Sequence, residues 1–137
     1  MAIAFTEDWA RAWGEALNGS ATYRQAAATW EGSIAVVVDD GSGLPGPAVF
    51  LDVWHGDCRA ARVGTTTDVA GADYVLEAAP AAWKQVLSSQ VSPIMALMTG
   101  QVRLARGELT RLLPYTAAAK TLVDLAGQLD TEFPSTW

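Results

Sequence analysis

The sequence predicts an α+β domain, because helical and strand patterns occupy separate parts of the chain. Apolar residues at three- and four-residue spacing, typical of helices, cover the first quarter and return after Pro80. Between them, short runs rich in β-branched residues are separated by turns rich in glycine and proline. We expect one domain over residues 1–137, since this is the usual length of one compact unit.

The composition of the chain narrows the classes of molecule that it can bind. Half of the residues are hydrophobic and 18% are charged, which is typical of a folded chain. The formal charge of −6 repels phosphate backbones, so nucleic acid is not expected as a partner. No run approaches the roughly 18 apolar residues of a membrane span.

The cysteine and histidine counts exclude two kinds of site. Cys58 is the only cysteine and His55 the only histidine, so no intrachain disulfide and no multi-His or multi-Cys metal site can form. The first residues lack the basic and apolar regions of a secretory signal. We therefore expect a cytoplasmic protein with no metal and no cofactor.

Two helices are predicted before residue 33. Thr6 can cap the first, which places Trp9, Trp13 and Leu17 on one face. Asn18-Gly19 ends it. Ser20 then caps a second, short helix that leads to Trp30.

Four strands follow, and we expect them to form a meander. Their ranges are 33–40, 48–56, 58–64 and 73–79. A wide Gly/Pro loop at 40–47 and a tight turn at 55–57 separate the first three, and a polar segment precedes the fourth. In the second strand, Val49, Leu51 and Val53 share an apolar face. The opposite face is mixed and carries Phe50, Asp52 and Trp54.

Helical spacing returns in the last third. Trp83, Val86 and Leu87 form one stripe, and Ser92-Pro93 is typical of a cap and first-turn proline. A fifth strand is expected at 101–107. The remaining residues predict a helical region that Pro114 interrupts early.

Residues 72–113 resemble the C-terminal half of the sterol carrier protein 2 family. That family runs through a strand, a tryptophan-bearing helix, an Asp/Ser-Pro turn, a short Met-rich helix, a Gly-led strand, and a glycine with an acidic residue. The counterparts here are Trp83, Ser92-Pro93, Ala96-Leu97-Met98, Gly100 and Gly107-Glu108. One departure is Ser88-Ser89-Gln90, where many relatives carry glycine.

The resemblance implies a fold and a function. The fold is a five-stranded, mostly antiparallel sheet with helices packed on one face, enclosing an apolar cavity or tunnel. The function is non-catalytic binding of fatty acids, acyl thioesters or sterol-like lipids, and their transfer is left open. The expected partner is thus a hydrophobic small molecule, and the sequence leaves a homodimer open.

Ten residues are candidates for lining such a tunnel. Methionine adapts its shape to ligands of different outline, and tryptophan offers a large ring with one polar atom. Trp54 and Trp83 are the preferred aromatic candidates. For each position the alternative is ordinary core packing. The full set is Trp54, Trp83, Val86, Ile94, Met95, Met98, Leu112, Leu113, Leu122 and Val123.

Two other functions remain open from the sequence. A small enzyme could use the same cavity for acid-base chemistry, with His55, Asp52 or Tyr74 as the acid or base. A protein-interaction module would instead present an apolar surface patch. The nearby Asp57 and Cys58 are interpreted as part of a turn, because neighbouring positions on a strand face opposite ways. No catalytic residue is assigned.

Overall fold

The computed structural model describes residues 2–43, 46–129 and 131–137. Its first two helices, α1 (Glu7–Asn18) and α2 (Ala21–Ala26), begin at the predicted caps. The Thr6 hydroxyl accepts a hydrogen bond from the Trp9 N–H, and the Ser20 hydroxyl accepts one from the Tyr23 N–H. Both helices are therefore confirmed. Residues 44 and 45 of the predicted wide loop lie outside the described residues.

A five-stranded sheet forms the centre of the fold, as predicted. Its strands are β2 (Glu31–Val38), β3 (Ala48–Trp54), β4 (Asp57–Val63), β5 (Tyr74–Ala78) and β6 (Val102–Arg106). They lie in the order β4-β3-β2-β5-β6, and every pair is antiparallel except β2 with β5. A separate parallel pair joins β1 (Ala2–Ile3) to β7 (Thr131–Glu132).

The predicted four-stranded meander is wrong for its fourth member. β5 pairs with the free edge of β2, where Ile34 faces Tyr74, and leaves β4 at the edge of the sheet. The chain crosses over through α3 (Thr66–Gly71), a short helix in the segment that we expected to be a polar connection. This helix packs on the outer face of the sheet, where Val69 and Ala72 join the small cluster around Val75.

The remaining helices cover the inner face of the sheet. They are α4 (Pro80–Leu87), α5 (Pro93–Met98), α6 (Leu109–Leu112), a 3₁₀ turn (Leu113–Tyr115) and α7 (Thr116–Gln128). Ser92 caps α5 through the Met95 N–H, and Pro114 lies in the 3₁₀ turn that separates α6 from α7. Both features agree with the sequence prediction.

Alternation along the strands separates two environments. The side chains of Ile34, Val36, Val49 and Leu51 belong to the main core beneath the helices. The outer face of β3 carries half-exposed Phe50, Asp52 and Trp54. The sheet thus presents one continuous apolar surface to the helical layer.

Gly14 lets α1 lie directly against the edge strand. A Cβ at this position would stand 2.6 Å from the Cβ of Ala61 on β4, closer than two carbon atoms can approach. The helix therefore holds Trp9 and Trp13 over the inner face of the sheet. Both rings are fully buried there.

Candidate functional site

A wholly apolar cavity of about 60 Å³ lies between the inner face of the sheet and the helices. Only apolar atoms face it, and no charged or amide side chain is buried in the described ranges. The wall is built from α1, β2, β5, α4, α5, β6, α6 and α7. Its residues are Phe5, Trp9, Trp13, Trp30, Ile34, Val36, Tyr74, Leu76, Trp83, Val86, Leu87, Pro93, Ile94, Leu97, Val102, Leu112, Ala119, Leu122 and Val123.

Three tryptophans of the wall direct their polar atom into a hydrogen bond. The indole N–H of Trp9 donates to the Thr131 hydroxyl at 3.0 Å, and that of Trp13 donates to the Leu122 carbonyl at 2.9 Å. The Trp83 N–H donates to the Val37 carbonyl at 2.8 Å. Because these N–H groups are satisfied elsewhere, the rings present only apolar surface to the cavity.

Trp30 is the exception in this wall. Its indole nitrogen is buried and has no hydrogen-bond partner among the described residues. The ring stacks on Tyr115 with centroids 5.4 Å apart and planes 9° apart, and the Tyr115 hydroxyl bonds to Thr29. The start of α7 is thereby attached to the segment between α2 and β2.

Six of the ten predicted residues lie on the cavity. They come from separate helical segments, and the fold brings them together over β2 and β5. These residues are Trp83, Val86, Ile94, Leu112, Leu122 and Val123. Their position on the cavity supports the interpretation as ligand contacts, which remains a prediction.

Four of the ten lie elsewhere. Trp54 is on the outer face of the sheet, where the Arg59 guanidinium lies 4.7 Å from its ring and the His55 ring stacks beside it. Met95, Met98 and Leu113 have exposed fractions of 52%, 68% and 47%. The expectation that these four line the cavity is therefore corrected.

Trp54 and the two methionines lie away from the cavity for different physical reasons. Trp54 follows the alternation of β3, which turns it away from the core together with Asp52. On α5, whose sequence is PIMALM, every position is apolar, so composition alone does not show which side faces inward. The structure turns Ile94 and Leu97 inward and the two methionines outward.

Sequence reasoning missed much of the N-terminal wall as a ligand surface. Trp9 and Trp13 lie on a predicted apolar helix face but are not among the ten candidates, and Ile34 and Val36 are predicted only as part of the first strand of the sheet. Their periodicity indicated burial, and burial alone does not distinguish a cavity wall from solid core. The pairing of β5 with β2 would have placed Ile34 and Val36 beside Tyr74 and Leu76, which also line the cavity.

The candidate acid-base residues do not meet. His55 lies in the turn after β3, at a φ of 49°, and its Nε2 is 2.8 Å from a carboxylate oxygen of Glu31. Asp52 accepts a hydrogen bond from Arg59 at 3.0 Å on the outer face. Of the three candidates, Tyr74 alone lines the cavity.

Cys58 is held as a neutral thiol. Its sulfur donates to the Ala60 carbonyl at 3.3 Å, and burial raises the pKa of the thiol to about 11. A thiol with such a pKa is a poor nucleophile at neutral pH. The interpretation of this segment as a structural turn agrees with these contacts.

Metal-ligating clusters and membrane-spanning helices are both absent from the described ranges. Residues 2–43, 46–129 and 131–137 contain no group of three or more His, Cys, Asp or Glu side chains placed to hold a metal ion. Within those ranges, no helix is long and apolar enough to cross a membrane.

A family profile and solved structures both show similarity to sterol carrier protein 2. The sequence profile of the SCP-2 sterol transfer family matches residues 14–107. A crystal structure of a sterol carrier protein 2 is 45% identical and superposes with a TM-score of 0.81, covering 91% of this chain and 98% of its own. None of the curated proteins compared with the chain matches it.

Two further structures extend the comparison. A solution structure from Thermus thermophilus, described as a conserved hypothetical protein and candidate sterol carrier, is 45% identical with a TM-score of 0.82. It covers 97% of this chain and 93% of its own. The apo sterol carrier protein 2 of Yarrowia lipolytica is 15% identical with a TM-score of 0.59, covering 86% and 88%, and shows a shared fold only.

Proposed function

The chain belongs to the SCP-2 sterol transfer family, and on that basis we propose that it binds lipid-like molecules without catalysis in its apolar cavity. The ligands would be fatty acids, acyl thioesters or sterol-like molecules. The observation that carries the proposal is the cavity wall, which comes from eight elements and presents only apolar atoms. Such a wall recovers the hydrophobic free energy of an alkyl chain without desolvating a charged or amide side chain of the protein.

The cavity must widen to accept a lipid. Its volume of about 60 Å³ is smaller than the cavity of about 150 Å³ that holds a single benzene ring in a known case. Burial of a sixteen-carbon chain supplies roughly 12 kcal/mol gross at about 0.8 kcal/mol per methylene. Association costs of at least about 4 kcal/mol leave roughly 8 kcal/mol, which is near the micromolar range, and the cost of separating the helices is subtracted from that value.

The helices of the wall differ in how firmly they are held. α5 has one buried residue, Ala96, whereas α7 buries Ala118, Leu122, Val123 and Ala126. α7 is also held through the Trp13 hydrogen bond to its backbone. We therefore expect widening to begin at α5, because local opening is easiest where few apolar contacts are lost.

The enzyme alternative has weaker support. His55 and Asp52 are both engaged with charged partners outside the cavity, so neither reaches a molecule enclosed by the wall. Tyr74 remains, and one phenol is not an acid-base pair. These positions favour binding over acid-base chemistry.

Titration with a fluorescent fatty-acid analogue tests the proposal. Protein freed of bound lipid and shown by circular dichroism to be folded should give a saturable signal at about one probe per chain. Unlabelled fatty acid, acyl thioester and sterol should compete, and their order of competition would identify the ligand class. His55→Ala should bind the probe as the parent protein does.

Two outcomes would count against this function. The first is the absence of a saturable signal up to the solubility limit of the probe. The second is loss of binding in His55→Ala while the variant remains folded, which would favour the enzyme alternative.

A further inference from the structure

Three large apolar side chains stand exposed on the helical layer that covers the cavity. They are Met95 and Met98 on α5, with exposed fractions of 52% and 68%, and Leu113 after α6, at 47%. We call Met95 and Met98, which share the outer face of α5, the methionine surface. Met98 has the highest exposed fraction of any large apolar side chain in the described part of the chain.

The same helix faces the cavity with its other side. Pro93, Ile94 and Leu97 of α5 line the cavity, and Ala96 is fully buried. A helix at a protein–water boundary normally carries polar residues on its outer face, whereas a helix that is apolar all round is buried. α5 therefore has the composition of an element with an apolar environment on both sides, and the described residues supply only one.

Charge indicates what the second environment is. The chain has 15 acidic residues, yet none lies between Gln85 and Gly107. The two cations in that stretch are engaged elsewhere, since Arg103 pairs with Glu77 and Arg106 donates to backbone carbonyls around Ala70. The stretch that carries the methionine surface thus contains no acidic residue, although the whole chain has a net charge of −6. An anionic bilayer would repel the whole chain, and a zwitterionic one would not.

We propose that the methionine surface docks on the interfacial region of a zwitterionic phospholipid bilayer, so that the cavity opens toward the membrane. This inference rests on the proposed function, because a lipid carrier must take up its ligand from a lipid phase. Methionine suits such contact, since its flexible thioether chain adapts to an irregular partner. Shallow insertion of apolar side chains from one helix is a known mode of membrane association.

A second copy of the chain is the competing occupant. A stable protein interface buries about 800 Å² on each partner. The two exposed methionine side chains fall far short of that area. Loose contact with a bilayer requires no such area, and reversible contact is what a carrier needs.

Flotation with phosphatidylcholine vesicles tests the docking. The parent protein should float with the vesicles, and the double variant Met95→Ser/Met98→Ser should lose about tenfold or more in vesicle affinity. The matched control is Ile3→Ser/Val63→Ser, which changes two exposed apolar residues away from α5 and should float like the parent. All three proteins are first compared by thermal unfolding.

A second measurement separates this inference from the proposed function. In solution without vesicles, the fatty-acid probe should bind the Met95→Ser/Met98→Ser variant as it binds the parent, since both residues lie outside the cavity wall. Saturable probe binding by a parent protein that does not float would overturn the docking and leave the binding function standing. Equal flotation of the variant and the parent would overturn it as well. A concentration-dependent dimer that the double variant abolishes would assign the surface to a second copy instead.

Discussion

The four tryptophan rings of the cavity wall differ in the bonding of one atom. Trp9, Trp13 and Trp83 each donate their indole N–H to an oxygen, whereas the Trp30 N–H is buried without a partner in the described residues. An unpaired donor in an apolar interior costs about 1–3 kcal/mol. The buried ring of Trp30 therefore stabilises the fold by its apolar area, and the unpaired N–H offsets part of that stabilisation.

Replacement of these rings by phenylalanine should separate packing from hydrogen bonding. Both Trp13→Phe and Trp30→Phe remove the indole N–H and part of the ring, but only Trp13→Phe breaks a bond, to the Leu122 carbonyl. We expect Trp13→Phe to lower the free energy of unfolding by about 1–3 kcal/mol more than Trp30→Phe does. Urea denaturation followed by circular dichroism measures the difference. Equal losses would show that the Trp30 N–H has a partner in solution.

Single residues also show what sequence reasoning can and cannot reach. Trp83 is a candidate because it lies on a helix with one apolar stripe, and it is found on the cavity wall, while its role as a ligand contact stays a prediction. Met95 and Met98 were not placed correctly, because a helix without polar residues has no face that marks the solvent side. Trp54 is a candidate for the cavity because of its residue type. The alternation of side chains along β3 places it on the outer face of the sheet, away from the cavity.

Hydrogen bonds and an ion pair hold the start of α3. Thr65 and Asp68 form a capping box, in which the Thr65 hydroxyl accepts from the Asp68 N–H and the Asp68 carboxylate accepts from the Thr65 N–H. Arg62 of β4 donates two hydrogen bonds to the same carboxylate, at 2.8 and 3.3 Å. The Arg62 bonds, followed by the Thr65 N–H, lower the pKa of Asp68 to about 2.

Stability should follow the titration of Asp68. Because the folded pKa lies below the ordinary value of 3.8, the carboxylate stabilises the folded state fully above pH 4 or so, and this stabilisation is lost as the pH falls toward 2. We expect Asp68→Asn to have a lower free energy of unfolding than the parent at neutral pH. This difference in free energy should shrink as the pH falls from about 4 toward 2. Urea denaturation at several pH values measures it.

The control for this variant is Asp8→Asn. The Asp8 side chain is 84% exposed and lies 3.5 Å from Arg11, so its replacement should change stability little at any pH. A gap between Asp68→Asn and the parent that persisted unchanged at pH 2 would mean that the effect comes from packing rather than from the charge.

At the level of elements, local signals predicted the five strands of the main sheet and most of the helices, but neither α3 nor the pairing of β5. The caps Thr6, Ser20 and Ser92 predicted three helix starts because capping is a contact within three residues. The partner of β5 was not predictable in this way. β5 could pair with the edge of β4 or with the edge of β2. The residues around Tyr74 carry no local signal that distinguishes the two pairings.

For the whole molecule, binding and stability should oppose one another. An apolar cavity lacks packing contacts, so filling it from within stabilises the folded chain and removes space that a ligand would use. Val86 lies on α4, is buried, and lines the cavity. Leucine has one more methylene and a higher helix propensity.

Val86→Leu should therefore raise the free energy of unfolding by up to about 0.8 kcal/mol and weaken binding of the fatty-acid probe. Thermal unfolding and probe titration measure the two effects. Val49→Leu is the matched control, since Val49 is fully buried on β3 and does not line the cavity. There the added methylene should destabilise the protein, by about 1–3 kcal/mol. A Val86→Leu variant that is less stable than the parent would mean that the cavity cannot accept the methylene.

The parallel pairing of β2 with β5 also has a consequence for the order of folding. β3 directly follows β2 along the chain and pairs with it, but the contact between the Ser33 N–H and Asp73 joins positions 40 residues apart. Until β5 arrives, one edge of the central strand has unpaired backbone groups and can pair with another chain. Distant pairing of this kind slows folding relative to local hairpins. The slow step in refolding should thus be the arrival of β5, and the species that accumulates before it should be the one most prone to aggregate.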